Sequence, residues 1–313
     1  MKKVLSILLS VAMIVLCFAA CGKTDGDKSS TGKVANVKVG FIFLHDENST
    51  YDKNFITAAE EACKKAGVEI LKKTNISETQ ACYDAAAELV DEGCNVIFAD
   101  SFGHEPYVIQ AAKKFPEVQF LHATGTKAHT EGLSNYHNAF ASIYEGRYLA
   151  GVAAGMKLNE MISSGKITAD KAKMGYVGAY TYAEVISGYT SFYLGAKSVC
   201  PSVTMEVTFT GSWYDETAEK EAAQKLINNG CVLISQHADT TGAPTACEAA
   251  GVPCVGYNID MTSVAPNTAL TSASMDWGVY YTYAVQCMLD GTAIDTDAWG
   301  AIFSGSCVVD KDN

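Results

Sequence analysis

Residues 37–71 read VKVGFIFLHDENSTYDKNFITAAEEACKKAGVEIL, and this stretch decides the fold of the chain. The apolar run Val37–Leu44 is typical of a buried strand, and the segment Asn54–Ala66 has the apolar spacing of a helix. A second apolar run, Val68–Leu71, follows Gly67, the residue type that most often ends a helix. A strand, a helix and a strand in this order predict a βαβ unit, in which the two strands are parallel.

The same alternation continues along the rest of the chain. Further strands are predicted at Val96–Ala99, Val118–His122, Met174–Val177, Val203–Phe209, Cys231–Ser235, Cys254–Gly256 and Ala269–Ser274. Segments with helical periodicity separate or follow them, at Thr79–Glu92, Tyr107–Phe115, Tyr144–Leu158, Tyr182–Ser198, Glu216–Asn229, Ala243–Ala250 and Trp277–Leu289. The series restarts near Lys173, so the sequence predicts an α/β protein of two similar lobes, each with a parallel sheet covered on both faces.

Composition and charge exclude several classes of protein. The chain has 313 residues, of which 48% are hydrophobic, and this is long enough for two packed lobes. Its formal net charge is −12, so it offers no basic stripe for a phosphate backbone, and we expect no nucleic acid partner. A single long apolar stretch, at the extreme N-terminus, argues against a membrane protein with several spans.

That N-terminal stretch indicates export. Lys2 and Lys3 precede an apolar run from Val4 to Phe18, and Ala19 and Ala20 then lead directly into Cys21. The arrangement is typical of a secretory signal, and its end is similar to the lipobox of bacterial lipoproteins. We therefore expect residues 1–20 to be a signal peptide, Cys21 to carry lipid and residues 21–36 to form a flexible tether on the outer face of the cell membrane. An ordinary cleaved signal and an uncleaved anchor are the alternatives.

The 11 cysteines show no metal-ligand or redox spacing. Exported proteins often oxidise pairs such as Cys247 and Cys254, but most of these residues lie in apolar or small-residue contexts. A buried thiol in such a context behaves as a small hydrophobic group. We expect mostly reduced, structural thiols.

Polar and aromatic side chains recur where the predicted strands end. Ligands of open α/β sheets bind outside the carboxyl ends of the strands. Rings stack on flat π-systems, and carboxylates and amides form hydrogen bonds in the ring plane, which suits a purine. For any single residue, capping a helix or covering a sheet edge is an equally ordinary role. The candidates at these ends are Asp46, Tyr51, Phe102, His104, His122, Trp213, His237, Asp239, Asn258 and Asp260.

The sequence gives little support for catalysis. It contains six histidines but no HExxH motif, and neither a GxSxG nor a GxGxxG motif is present. The segment Ser163–Lys166 lacks the first glycine of a phosphate loop and is followed by Ile167 instead of Ser or Thr. The glycines of Gly151–Gly155 lie inside a helical pattern, where close helix packing is the ordinary explanation. We expect no metal, no cofactor and no enzymatic activity.

Several stretches resemble the basic membrane protein family of substrate-binding lipoproteins of ABC importers. They are Val39–Phe43, Ala99–Gly103, His122–Gly125, Tyr144–Gly151, Gly211–Asp215, Gln236–Asp239, Gly256–Asp260 and Asp276–Gly278, and the resemblance extends over nearly all residues from 37 onward. It implies a type I periplasmic-binding-protein fold, with two Rossmann-like lobes joined by a hinge. It also implies a purine base or nucleoside as ligand, a membrane permease as partner, and no covalent chemistry.

The resemblance also implies where the lobes and some ligand contacts lie. The first lobe would comprise residues 37–158 and about 268–313, and the second residues 159–267. Asp46 and Phe55 match the positions that hold ribose and stack on the base in nucleoside-binding relatives, and a later ligand-binding Asp corresponds to Asn258 or Asp260. Glu145 and Trp277, within two of the matching stretches, complete the candidate set.

Two departures from the family pattern affect these expectations. A ribose-binding Lys is replaced by Met275, which argues for a free base at Trp277 as much as for a nucleoside. Relatives also continue past the segment that matches residues 305–309, which implies either a fragment or a shortened hinge.

We expect a monomer. Another small polar solute such as a sugar, a ligand sensor for a membrane signalling partner and a nucleoside hydrolase remain as alternatives.

Overall fold

The computed structural model describes residues 36–309 and has an α/β architecture. The part up to residue 142 contains β1 (Lys38–Ile42), α1 (Thr50–Ala66), β2 (Glu69–Lys73), α2 (Gln80–Asp91), β3 (Val96–Ala99), α3 (Glu105–Lys114), β4 (Gln119–Ala123), α4 (Ala128–Glu131) and β5 (Tyr136–Ser142). The remainder contains α5 (Ile143–Ser163), β6 (Lys173–Gly178), α6 (Ala183–Val199), β7 (Thr204–Phe209), α7 (Glu216–Asn228), β8 (Leu233–His237), α8 (Gly242–Ala250), β9 (Cys254–Tyr257), β10 (Ala269–Met275), α9 (Trp277–Asp290) and β11 (Asp297–Val309).

The strands form two parallel sheets that share one strand. The first sheet has the order β2-β1-β3-β4-β5, and the second has the order β7-β6-β8-β9-β10. Strand β11 runs parallel to β5 over its first residues and antiparallel to β10 over its last, with a shift in register between Trp299 and Ser304. The two sheets are thereby joined into one series of eleven hydrogen-bonded strands.

The first βαβ unit forms as its sequence predicts. The hydroxyl of Ser49 accepts a hydrogen bond from the Asp52 amide at the start of α1, and Gly67 ends the helix in the left-handed conformation, with φ of 69°. Strand β1 pairs with β2 and β3, both in parallel. The buried rings of Phe55 and Trp277 stack at 4.3 Å between centroids, so α1 and α9 pack on the same side of the first sheet.

Helices α5 and α6 pack at very short range because glycines face the partner backbone. A Cβ atom on Gly151 would meet the carbonyl oxygen of Phe192, and one on Gly195 would meet the carbonyl oxygen of Tyr148. The close helix packing predicted for Gly151–Gly155 is therefore present. Since α5 directly follows β5, it carries the chain from the first sheet to the helical layer of the second.

Most predicted elements occur within a few residues of their expected bounds. Strand β10 was expected in the first lobe, but it pairs with β9 in the second sheet, and the chain returns to the first sheet only with α9. Strands β5 and β11 were not predicted. The residue limits of the two lobes stay a prediction, and the expected signal peptide, lipidated Cys21 and most of the tether lie outside the described residues.

The thiols of the described core contribute to packing. The structure places eight cysteines in buried positions and leaves them unpaired: Cys63, Cys82, Cys94, Cys200, Cys231, Cys247, Cys254 and Cys287. Burial raises the pKa of the Cys63 thiol to about 11. Within residues 36–309, no helix is both long and apolar enough to cross a membrane.

Candidate ligand-binding cleft

The carboxyl ends of the two sheets face each other across a narrow cleft, whose internal volume is about 20 Å³ in this closed arrangement. Each sheet contributes half of the wall, as expected for the strand ends of open α/β sheets. The lining residues are Leu44, Tyr51, Ser101 and Phe102 from the first lobe, and Glu184, Trp213, Asp239 and Tyr257 from the second.

The first-lobe wall is fixed by hydrogen bonds behind it. The Tyr51 hydroxyl donates to the carbonyl oxygen of Asp100 at 2.8 Å, and its ring packs 4.6 Å from that of Phe55. The Ser101 hydroxyl donates to a Glu78 carboxylate oxygen at 2.6 Å. The ring of Phe102, at the start of a short 3-10 turn, is 38% exposed. Phe102 is therefore the most accessible ring on this side of the cleft.

A buried carboxyl pair lies behind the same wall. Asp52 accepts hydrogen bonds from the His45 amide at 2.8 Å and from the Ser49 hydroxyl at 2.6 Å. Burial raises the pKa of Asp52, but the hydrogen bonds from His45, Asp100 and Ser49 outweigh it, and the pKa is lowered. Burial, together with the charge of Asp52 and the hydrogen bond to it, holds the pKa of Asp100 well above its ordinary value. The pKa values of these two buried carboxyl groups are therefore shifted in opposite directions, down for Asp52 and up for Asp100.

The second-lobe wall is an aromatic cluster backed by a buried cation. The ring of Trp213 lies 5.3 Å from that of Tyr180, in an edge-on arrangement. The guanidinium of Arg147 lies 4.0 Å from the centroid of the Tyr257 ring and donates to the carbonyl oxygen of Gln236 at 2.6 Å. Arg147 is fully buried, so its positive charge contacts the face of the Tyr257 ring away from solvent.

Two acidic side chains complete this wall. Asp239 is only 4% exposed, and its Oδ1 atom has no hydrogen-bond partner among the described residues. Burial raises the pKa of Asp239 well above its ordinary value, and the charges of Asp52, Glu219 and Glu184 add to the effect. One Glu184 oxygen lies 3.5 Å from Nε2 of His237. The cleft therefore has an acidic side opposite the ring of Phe102 and the Ser101 hydroxyl.

The two lobes touch directly around the cleft. The backbone amide of Thr50 donates to the carbonyl oxygen of Asp239 at 2.9 Å, which links the start of α1 to the end of β8. The rings of His45 and Tyr214 lie 5.0 Å apart. The rings of Phe102 and Tyr182 lie 5.4 Å apart. The structure is therefore that of a closed cleft.

A second, more open cavity of about 330 Å³ adjoins the cleft. It shares Phe102 and Glu184 with the cleft, so the two spaces are neighbours. Its wall includes the stacked rings of Phe140 and Trp299, whose centroids are 4.2 Å apart. A ligand held in the cleft would have room for a substituent on this side.

Four of the predicted site residues line the cleft: Tyr51, Phe102, Trp213 and Asp239. The others lie elsewhere. Phe55 and Trp277 stack on each other in the core. A carboxylate oxygen of Asp46 accepts a hydrogen bond from the Asn48 amide at 3.0 Å. Asp260 forms the same kind of local bond with the Thr262 amide.

The histidines and two further candidates are also away from the cleft wall. His104 and His122 are buried and bond to the carbonyl oxygens of Ile76 and Ser101. His237 and Asn258 are buried in the second lobe, and Asn258 has a positive φ of 67°. Glu145 is exposed near Tyr148 and Leu149 on α5. Whether any of these positions contacts a ligand stays a prediction.

Sequence reasoning did not select four lining residues. Leu44, Ser101 and Tyr257 belong to strand ends that were recognised, but their types gave no separate signal. Glu184 lies in the first turn of α6, where acidic residues are common because they favour the helix dipole. Among the described residues, no three side chains of His, Cys, Asp or Glu come together as metal ligands.

Two parallel sheets whose strand ends close on a small cleft form the type I fold of periplasmic solute-binding proteins, which confirms the predicted fold class. A solute-binding protein from Conexibacter woesei has this fold, with a TM-score of 0.68 at 20% identity, over 87% of this chain and 89% of its own. The chain belongs to the Bmp family, described as ABC transporter substrate-binding protein PnrA-like, whose model matches residues 38–299. The predicted family is thereby confirmed.

Two relatives carry names that refer to different ligands. A purine-binding protein of Brucella abortus is 34% identical over 274 residues, which are 86% of this chain and 73% of that protein. A putative ABC transporter glucose-binding protein of Haloferax volcanii is 28% identical over 297 residues, 92% of this chain and 70% of that protein. The family comprises solute-binding proteins and not enzymes, and it implies a small-molecule ligand and a transporter permease as partner.

Proposed function

We propose that this protein binds a purine base or a purine nucleoside in the cleft and delivers it to the permease of an ABC importer. The observation that carries the proposal is the cleft wall, in which the rings of Phe102, Trp213 and Tyr257 stand beside the carboxyl groups of Asp239 and Glu184. Rings of this kind stack on a flat base while carboxyl groups bind its edge. The name of the 34% identical relative supports the same ligand class.

The structure is compatible with both forms of the ligand. Met275, which replaces the ribose-binding Lys of the family pattern, is buried, and its carbonyl oxygen accepts a hydrogen bond from Asn54 at 2.9 Å. Its side chain does not line the cleft, so it offers a sugar no donor. The adjoining cavity gives a substituent room beside Phe102, so a nucleoside would extend in that direction.

We further propose that the protein acts as a monomer held on the outer face of the cell membrane by lipid on Cys21. The support is the sequence pattern that ends in Ala19, Ala20 and Cys21. Mass spectrometry of the protein isolated from its native membrane tests this step. We expect an N-terminal residue of Cys21 with the added mass of acyl chains, and an unmodified Cys21 would contradict it.

Thermal unfolding against a panel of purines, nucleosides and sugars tests the ligand class. The purified protein is first unfolded and refolded to remove any ligand carried through purification. A ligand that binds only the native state adds about 2.7 kcal/mol of stability at one hundred times its dissociation constant. We expect a purine base or nucleoside to raise the melting temperature.

The sugars in that panel test the competing hypothesis that the protein binds a sugar. The name of the Haloferax volcanii relative favours a sugar, and aromatic and carboxylate walls suit sugars as well. Stabilisation by glucose without any effect of purines would contradict the proposed ligand class. Release of free base from inosine or adenosine by the purified protein would instead indicate a hydrolase.

A further inference from the structure

We propose that the cleft selects purines bearing an exocyclic amino group, and that Asp239, assisted by Glu184, accepts the hydrogen bonds of that amino edge. This inference rests on the proposed purine-binding function and specifies the substrate class within it. It follows from the charge of the cleft wall, from the unpartnered carboxyl of Asp239 and from the support of Tyr257.

The first step is the charge of the wall. Two of the eight lining residues are acidic and none is basic. The nearby cation, Arg147, lies 4.0 Å from the centroid of the Tyr257 ring and does not line the cleft. A ligand with a phosphate group would bring its negative charge next to these carboxyl groups, and none of the eight lining residues is a cation that offsets it. The wall thus favours ligand groups that donate hydrogen bonds and disfavours nucleotides.

The second step is the state of Asp239. Its backbone amide donates to the Trp213 carbonyl oxygen at 2.8 Å, and its backbone carbonyl oxygen accepts from Thr50, so its position is fixed. Its carboxyl Oδ1 atom is buried and has no partner among the described residues. A buried polar atom without a partner lowers the stability of the folded state. An amino group on the ligand, entering the cleft that Asp239 lines, would remove this cost.

The third step is the geometry of the rings. The Arg147 guanidinium lies 4.0 Å from the centroid of the Tyr257 ring, and the Trp213 carbonyl oxygen accepts a hydrogen bond from the Asp239 amide. A base stacked on either ring would direct its edge towards neighbouring side chains, and the carboxyl groups of Asp239 and Glu184 line the same cleft. The edge of adenine or guanine carries an amino group, whereas unsubstituted purine and hypoxanthine lack one. A hydrogen bond between the amino group and a buried carboxyl group should change the affinity by about an order of magnitude.

Calorimetric titration of the purified protein with two matched ligand pairs tests the inference. Adenine differs from purine, and guanine from hypoxanthine, by one amino group. In the pair that the protein binds, we expect the amino member to bind roughly tenfold tighter or more. We also expect no binding of AMP or GMP at the concentrations that saturate the protein with the preferred base.

Substitutions then assign the selectivity to the carboxyl groups. In Asp239→Asn, the backbone bonds remain, but an amide replaces one acceptor oxygen with a donor. We expect the preference of Asp239→Asn for the amino member of the pair to fall to about threefold or less. Glu184→Gln should also lower this preference. Each loss corresponds to about one hydrogen bond. The control is Asp91→Asn, at the exposed C-terminal end of α2, which should keep the preference of the unmodified protein.

The outcomes separate the inference from the function on which it rests. Equal affinity for both members of a pair, or an unchanged preference in both Asp239→Asn and Glu184→Gln, would overturn the inference and leave purine binding intact. Binding of AMP as tight as that of adenine would also overturn it. Stabilisation by a sugar, with no response to any of the four bases, would overturn the proposed function itself.

Discussion

At the scale of single residues, the most unusual feature is the pair of buried carboxyl groups, Asp52 and Asp100. Both side chains are fully buried, yet burial and the neighbouring charge raise the pKa of Asp100, whereas hydrogen bonds outweigh burial and lower that of Asp52. Asp100 is therefore protonated in the folded protein at a pH where it is ionised in the unfolded chain. The folded state binds more protons, so this group makes the protein less stable as the pH rises from about 4 towards the raised pKa.

Because Asp100 destabilises the folded protein as the pH rises, its replacement by a group that does not titrate, as in Asp100→Asn, should remove this pH dependence. In the unmodified protein, the Leu44 amide donates a hydrogen bond to Asp100 at 3.2 Å. The side-chain oxygen of asparagine can still accept this bond, and its NH₂ group can donate to Asp52. Because asparagine does not titrate, the stability of the variant relative to the unmodified protein should increase between about pH 4 and pH 7. Melting temperatures measured across this range provide the test. A difference that stays constant with pH would show that Asp100 has an ordinary pKa.

For Asp52→Asn we expect the opposite pH dependence, because the pKa of Asp52 is lowered and not raised. A lowered pKa stabilises the folded state above the unfolded value near pH 4 and loses this contribution as the pH falls through the folded value. The amide also cannot accept all the hydrogen bonds that Asp52 receives from His45 and Ser49. We expect Asp52→Asn to be the less stable variant at pH 7, in contrast to Asp100→Asn.

At the scale of helices and strands, the crossing of α5 and α6 depends on glycine. The carbonyl oxygen of Tyr148 occupies the space where Gly195 would carry a Cβ atom, and backbone atoms cannot give way as a flexible side chain would. We predict that Gly195→Ala destabilises the protein by about 1–3 kcal/mol, although alanine favours helix formation. Denaturant unfolding measures the change.

A glycine that faces a side chain instead of a partner backbone provides the control for that substitution. Gly278 lies near the start of α9, and a Cβ atom there would meet only a side-chain oxygen of Asp276, at 3.1 Å. Gly278→Ala should change stability by less than about 1 kcal/mol. If both variants lose stability equally, the loss at Gly195 has a cause other than the helix contact.

The sequence predicted some strands and not others, and the difference has a physical cause. Strands such as β3 and β9 are continuous apolar runs between turn residues, and the apolar pattern predicted them within a few residues. Strand β5 was missed because it contains His137 and Asn138, whose polar groups are buried but bonded, for example from Nε2 of His137 to Gln119 at 2.8 Å. Sequence shows the polarity of such residues and not the partners that make burial possible.

At the scale of the whole molecule, the closed cleft depends on contacts that no local pattern reveals. His45 and Tyr214 follow strands of different sheets, and their proximity exists only once both lobes are folded and closed. For the same reason, the sequence identified rings and carboxyl groups at strand ends but could not tell that Phe55 and Trp277 stack in the core while Glu184 lines the cleft. Which strand ends meet is a property of the closed pair of lobes.

Tyr214→Ala tests the contribution of closure to ligand binding. An aromatic pair contributes about 0.5–1.5 kcal/mol, and the Tyr214 pair with His45 exists only in the closed form. Apparent affinity falls with the fraction of protein that can close, so the variant should bind its ligand about 2- to 10-fold more weakly. Tyr148→Ala, at an exposed ring on α5, is the matched control and should retain its affinity. Equal losses in both variants would contradict a role for closure.

Strand β11 has a consequence for the order in which the protein is made. Residues 297–309 supply the last neighbour of both β5 and β10, although these strands belong to different sheets. While the chain emerges from the ribosome, both sheets keep an open edge until this strand has been synthesised. Completion of both sheets is therefore postponed until residues 297–309 have been synthesised, and one late strand couples the two lobes. For a protein that is exported, as we propose, such a delay keeps both sheets incomplete while the chain is being made.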